Sequence, residues 1–176
     1  MNLREVLSGR TDKDVIGKVV CYVSASSHRQ QMLYSLTDDE NDQVSWHAWW
    51  ACEHLTRQYP DILVDKREDI IGRLLSCQYT GKKRIMLNIL QILPLTDSVH
   101  VELLNFCLDQ MLQFSEPSGT QASAMKLAYK ICRAEPELLN EFKEYLNNVE
   151  EDFYSPALLS TRKNIIREMN KKGKLK

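Results

Sequence analysis

The sequence predicts an all-α fold built as a stack of antiparallel helix pairs. Three observations predict it. Apolar residues recur at helical spacing along most of the 176 residues. All five prolines (Pro60, Pro94, Pro117, Pro136 and Pro156) fall between the periodic segments, where a missing N–H costs least. Two later segments repeat an earlier one in register, at offsets of 34 and 42 residues.

The elements follow in order. Residues 1–40 read as N-terminal capping helices. Asp12 is a candidate cap for a helix carrying Val15, Ile16, Val19, Val20 and Val23. That run over 12–25 is β-branched enough to be a strand; a helix is favoured because no partner strand is visible elsewhere. A short helix over Arg29–Leu36 follows, then an acidic loop from Asp38 to Asp42.

Residues 44–150 read as three helix pairs. Val44, Ala48, Ala51, Cys52 and Leu55 mark the first helix, over about 44–58, and Leu63, Ile70, Ile71, Leu74 and Leu75 its partner. Ile85, Ile89, Ile92 and Leu93 mark the third. Leu103, Leu104, Cys107, Leu108, Met111 and Leu112 mark the fourth. Ala124, Leu127, Ala128 and Ile131 make the fifth, and Leu138, Leu139, Phe142, Leu146 and Val149 the sixth. Residues 155–176 give a C-terminal helix, Leu158 to Met169, with a basic tail. Together these read as a single helical-repeat domain over 1–176.

Placing Pro60, Pro94 and Pro136 in one register makes Ala51, Ile85 and Leu127 coincide, as do Leu55, Ile89 and Ile131. One pair cannot bury its apolar face alone, whereas stacked pairs share a continuous core.

In these segments the chain resembles the HEAT/armadillo-like α-α superhelix class. The residues that carry the resemblance are Arg84-Ile85-Met86-Leu87-Asn88-Ile89-Leu90-Gln91-Ile92-Leu93-Pro94, Ala124-Met125-Lys126-Leu127-Ala128-Tyr129-Lys130-Ile131 and Trp49-Trp50-Ala51-Cys52-Glu53-His54-Leu55. The sequence is similar to small bacterial families of this class, a similarity that implies the fold and no activity.

Composition narrows the function classes. The chain is 43% hydrophobic and 27% charged, an ordinary globular balance. It has no apolar run of about 18 residues or more, so no membrane span is expected. The N-terminus lacks a signal-like apolar core, and a cytoplasmic location is expected. The five cysteines (Cys21, Cys52, Cys77, Cys107, Cys132) are widely spaced with no Cys-x-x-Cys pair, which suits reduced, packed thiols. No phosphate-binding glycine loop, serine elbow or zinc helix motif occurs. His47 and His54 are seven residues apart, about 10 Å along a helix at ~1.5 Å per residue, too far to share a metal. No cofactor and no metal are expected, and the reading is non-enzymatic.

The candidate binding face comes from the repeat register. Trp50, Arg84 and Lys126 coincide; so do His54, Asn88 and Lys130; so do Arg57, Gln91 and Arg133. Spacings of four and three put each helix's set on one face. Stacked, they make a mostly basic ladder with one aromatic, suited to an acidic peptide, a protein surface or phosphate groups. A solvated charged face is the plain alternative. The partner helices carry Asp65, Glu68, Asp69, Glu102, Asp109, Glu141 and Glu144, so the opposite surface should be acidic.

Trp46, Trp49 and Trp50 form an aromatic cluster, of which two are expected to anchor the N-terminal helices and one to be exposed. Glu53 is expected to brace Arg84 of the next repeat. Arg162, Lys163, Arg167, Lys171, Lys172, Lys174 and Lys176 make the tail basic, although net charge is −1.

Two readings follow. The first is a protein- or peptide-binding module of undetermined specificity. The second is nucleic-acid binding or repair, since HEAT-like DNA glycosylases resemble this architecture and would put Trp50 and Glu53 at the lesion. A purely structural subunit with an apolar dimer face is a third.

Overall fold

The structure, a computed structural model, describes residues 1–95, 98–148, 150–151 and 155–172, without the side chain of Lys172. All regular elements among these residues are helical. The chain divides into two compact units, Met1–Pro94 and Leu95–Lys176.

The first unit begins with α1 (Leu3–Ser8), capped by Asn2 and buried through Leu3 and Leu7. Sequence periodicity missed it because one turn and a half leaves only that single i, i+4 pair. The segment 12–25 is helix α2 (Lys13–Ser24). Asp12 accepts from the backbone N–H of Asp14 at 3.0 Å and of Val15 at 2.9 Å. These bonds, that to Val15 first, hold its carboxyl below the ordinary range. Ile16, Val19, Val20 and Val23 are buried at spacings of three, one and three, which a strand would split between two faces. Burial of this stripe outweighs the weak helix propensity of valine.

Helix α3 (Ser27–Ser35) packs against α2, so the N-terminal 40 residues hold a helix pair. The acidic loop is shorter than expected. Leu36–Asp38 form a 3-10 turn, Asn41 caps the next helix, and Asp42 is its first residue. Helices α4 (Asp42–Gln58), α5 (Arg67–Ser76) and α6 (Thr80–Ile92) complete the unit. Helix α4 packs between α2 and α6, while α3 and α5 each lean on the helix that follows them. The second unit repeats the pattern with α7 (Val101–Leu112), α8 (Ser118–Cys132), α9 (Pro136–Asn147) and α10 (Pro156–Lys172). There α8 is the centre, against α7, α9 and α10. Pro136 and Pro156 start their helices, where fixed φ suits the first turn. Val149 and residues 173–176 of the basic tail lie outside the described residues.

Many of the side-chain hydrogen bonds between elements span 34 to 40 residues. Gln43 donates to the Gly9 carbonyl across 34 residues, Tyr34 to Asp69 and Asn88 to Glu53 across 35, and Arg73 to Thr37 across 36. Lys82 reaches Asp42 and His47 meets the Leu7 carbonyl across 40. In the second unit Arg133 reaches Glu168 across 35. Bonds at one repeat length are what nearest-neighbour stacking produces. The apolar register agrees: Ala51, Leu55, Ile85, Ile89, Leu127 and Ile131 are all buried.

One cluster, buried at Tyr34 and Trp49 and open at its carboxylates, links the third and fifth helices to the fourth. Tyr34 Oη donates to Asp69 at 2.7 Å, Arg73 pairs with Asp69 at 2.8 Å and Asp38 at 2.6 Å, and Trp49 meets the Tyr34 ring edge-on at 6.0 Å. Burial, then the bond to Asp69, pushes the Tyr34 hydroxyl far above its usual range. Burial alone would raise Asp69; the bonds from Tyr34 and Arg73 win and hold it low.

Candidate functional site

Helix α4 is buried nearly all round because neighbours flank it on both sides. Over residues 44–56 only Trp46, Trp50 and His54 reach solvent. They stand at four-residue spacing on one stripe, and exposed Arg57 extends it. The Trp46 and Trp50 rings stack at 6.2 Å with a 23° tilt, and Trp50 meets His54 edge-on at 5.8 Å. The expectation of two anchoring tryptophans and one exposed is reversed. Trp49 alone is buried, at 2% exposure, while Trp46 and Trp50 are both half-buried. An i, i+4 pair shares a face and the residue between them cannot.

Helix α6 has a matching open stripe. Arg84 is exposed, and Asn88 and Gln91 are half-buried, between buried Ile85, Leu87 and Ile89. The two stripes run side by side and parallel, since Lys82 pairs with Asp42 at their starts and Asn88 with Glu53 further along. Tyr79, 54% exposed, precedes α6 and extends the aromatic row. Gly81 allows this: a Cβ there would lie 3.0 Å from Tyr79 Cε1 and 3.4 Å from Trp46 Nε1. Tyr79 carried no periodic signal, so sequence reading did not find it. Trp46 was findable from its i+4 relation to Trp50.

Glu53 does brace a neighbouring repeat, but through Asn88 and not Arg84. Its Oε1 accepts from Asn88 Nδ2 at 2.9 Å and from Arg57 Nη2 at 2.6 Å. Glu53 is 8% exposed, and its carboxylate is held by these two donors. Arg84 is exposed.

On α8 the open stripe is Ala122, Lys126, Lys130 and Arg133, between buried Ala124, Leu127, Ala128 and Ile131. These three cations belong to the second unit. Arg133 is engaged there, 3.5 Å from Glu168 of α10 and over the Tyr129 ring at 5.5 Å. The acidic positions of the alternate helices, Asp65, Glu68, Asp69, Glu102, Asp109, Glu141 and Glu144, are all exposed.

Of the cysteines, Cys52, Cys107 and Cys132 are buried, Cys77 is half-buried and Cys21 is exposed on α2. Burial pushes the Cys52 thiol up to about 12, and burial with Glu141 pushes Cys132 up to about 11. Among the described residues no three His, Cys, Asp or Glu side chains cluster as metal ligands do, and no helix is long and apolar enough to cross a membrane.

Each central helix thus opens a single stripe to solvent, at equivalent positions one repeat apart. A family model for the HEAT repeat domain matches residues 3–169. The chain belongs to the HEAT repeat domain family. Neither the curated proteins nor the solved structures gave a match. In a HEAT repeat domain, stacked pairs present equivalent residues in rows, and such rows form extended binding surfaces. In the first unit the rows hold aromatics on α4 and Arg84, Asn88 and Gln91 on α6.

Proposed function

We propose that this HEAT repeat domain is a non-enzymatic binding module that takes an acidic peptide segment of a protein partner. The observation that carries the proposal is the α4 stripe. In a helix otherwise buried over residues 44–56, the positions left open hold two stacked tryptophans and a histidine. Solvent-facing tryptophan is costly to leave wet and is enriched where partners dock. Arg84 and Arg57, the latter paired with Glu53, flank the aromatics with exposed charge. The aromatic row suits apolar side chains of the peptide and the cations suit its carboxylates. The engaged state of Glu53 argues against the lesion-recognition alternative, which needs an available acid.

The test is fluorescence anisotropy with labelled peptides rich in Asp and Glu beside aromatic residues, with single- and double-stranded DNA as comparison probes. Binding that falls about 30-fold in Trp50→Ala, the effect of losing a ~2 kcal/mol anchor, and falls again in Arg84→Glu supports the reading. Equal affinity of wild type and both variants overturns it. Preferential binding of DNA with a steep salt dependence replaces it with the nucleic-acid reading. Circular dichroism confirms that each variant is folded.

A further inference from the structure

The aromatic row of α4 carries hydrogen-bond donors that the protein itself does not use. Trp46 and Trp50 each have an indole N–H, a group that can only donate. Among the described residues neither indole has a hydrogen-bond acceptor; their contacts are with other rings. Arg84 of α6, exposed beside the row, also has no partner among the described residues. Acceptors are scarce by comparison. Helix α4 has two carboxylates, and both are engaged: Glu53 by Arg57 and Asn88, and Asp42 by Lys82.

One end of the row is a corner made by two aromatic residues from different elements. A Cβ on Gly81 would lie 3.0 Å from Tyr79 Cε1 and 3.4 Å from Trp46 Nε1, so the tyrosine ring and the N–H edge of the indole meet over that glycine. Lys82 stands 5.5 Å from the Tyr79 ring centre and pairs with Asp42 at 3.0 Å, which ties the corner to the start of α4. From Trp46 the row continues through Trp50 to His54, about 12 Å along the helix at ~1.5 Å rise per residue.

The backbone that suits such a surface offers carbonyls and few N–H groups. A helical peptide spends its carbonyls on its own N–H groups. A β-strand brings an N–H with every carbonyl, and a buried N–H without an acceptor is costly. Proline brings a carbonyl and no N–H. A polyproline II segment makes no internal hydrogen bonds, so its carbonyls are open to outside donors. Its rings pack on aromatic faces, and its backbone is already ordered before binding. Four residues at ~3.1 Å each cover the length of the row.

We propose that the α4–α6 face takes a proline-rich stretch in the polyproline II conformation. The prolines lie on Tyr79, Trp46 and Trp50, the two indoles donate to the peptide's carbonyls, and acidic residues flanking the stretch meet Arg57 and Arg84. The proposal rests on the peptide-binding reading above and names the backbone form of that peptide.

The test titrates three labelled peptides of equal length into the full chain, read by fluorescence anisotropy. One has four prolines between acidic flanks. The second has those prolines replaced by alanine, and the third is acidic and aromatic without proline. The proline peptide should bind at least about tenfold tighter than the alanine peptide, the penalty of one buried N–H without an acceptor. Trp46→Phe keeps a ring and removes its N–H; it should weaken the proline peptide about fivefold, the effect of one neutral hydrogen bond, and leave the alanine peptide unchanged. Gly81→Ala fills the corner and should weaken the proline peptide at least as much, with helical circular dichroism retained. An alanine peptide that binds wild type as tightly as the proline peptide overturns the proposal. So does binding of the acidic aromatic peptide without binding of the proline peptide, an outcome that leaves the peptide-binding reading standing. No binding of any of the three overturns both.

Discussion

Glu53 separates a brace between repeats from a chemical acid, and its removal has a calculable cost. Glu53 is 8% exposed, and its carboxylate accepts two bonds, one from the Arg57 guanidinium at 2.6 Å and one from the Asn88 amide at 2.9 Å. Hydrogen bonds to charged groups contribute about 1.5–3 kcal/mol each. Arg57 is half-exposed at its side chain, so water replaces much of what it loses. Asn88 is half-buried on the facing helix, so its bond is the one that couples repeats. Glu53→Ala should therefore destabilise by about 2 kcal/mol and Asn88→Ala by about 1 kcal/mol. The double variant should show a coupling of about 1 kcal/mol. All three tryptophans lie in α4, so tryptophan emission in a urea titration reports the first unit alone. Coupling below about 0.3 kcal/mol, the limit of additivity for independent sites, would refute the brace.

Three further outcomes are expected. Tyr34→Phe should cost about 1 kcal/mol at neutral pH and flatten the acid side of the stability profile. The folded carboxyl of Asp69 is held below its unfolded value near ~3.9, so its contribution is present above that value and is lost as pH falls through the folded one; an unchanged acid limb in Tyr34→Phe, measured by urea titration across pH, counts against the cluster. Gly17→Ala and Gly72→Ala should each stabilise by about 0.5–1 kcal/mol, because both glycines are exposed in helix interiors and an added Cβ meets nothing within 4 Å; lower urea midpoints would contradict the packing of α2 and α5. Thiol labelling of native protein should modify Cys21 first and Cys77 more slowly, while Cys52, Cys107 and Cys132 should react only after denaturant is added; mass spectrometry of the labelled sites decides.

The central helices were legible because their signal is burial repeated at helical spacing. Ala51, Leu55, Ile85, Ile89, Leu127 and Ile131 coincide in register and are all buried. The same register marked the open stripes, since a helix packed on both sides leaves one line of residues to water. What escaped depends on partners rather than on period. Glu53 selects Asn88 over Arg84 because side-chain reach across two helices is a tertiary matter. Tyr79 reaches Trp46 through the space above Gly81, and no spacing rule encodes that approach. The helix over 12–25 was harder to read because its valines favour a strand, and the bonds from Asp14 and Val15 to the candidate cap Asp12 bear the helix out. The engagement of Arg133 by Glu168 was likewise invisible, as it requires α10 to fold back on α8.

The common separation of the long bonds also constrains how the chain finds its fold. In the first unit each bond between distant elements closes a loop of 34 to 40 residues. Because closure entropy rises only with the logarithm of loop length, every such step carries nearly the same entropic cost. No step must wait for the chain ends to meet, which favours rapid assembly from local contacts. Folding can begin wherever two neighbouring helix pairs first dock and then advance outward, so a lesion in α2 delays the seating of α4 before anything else.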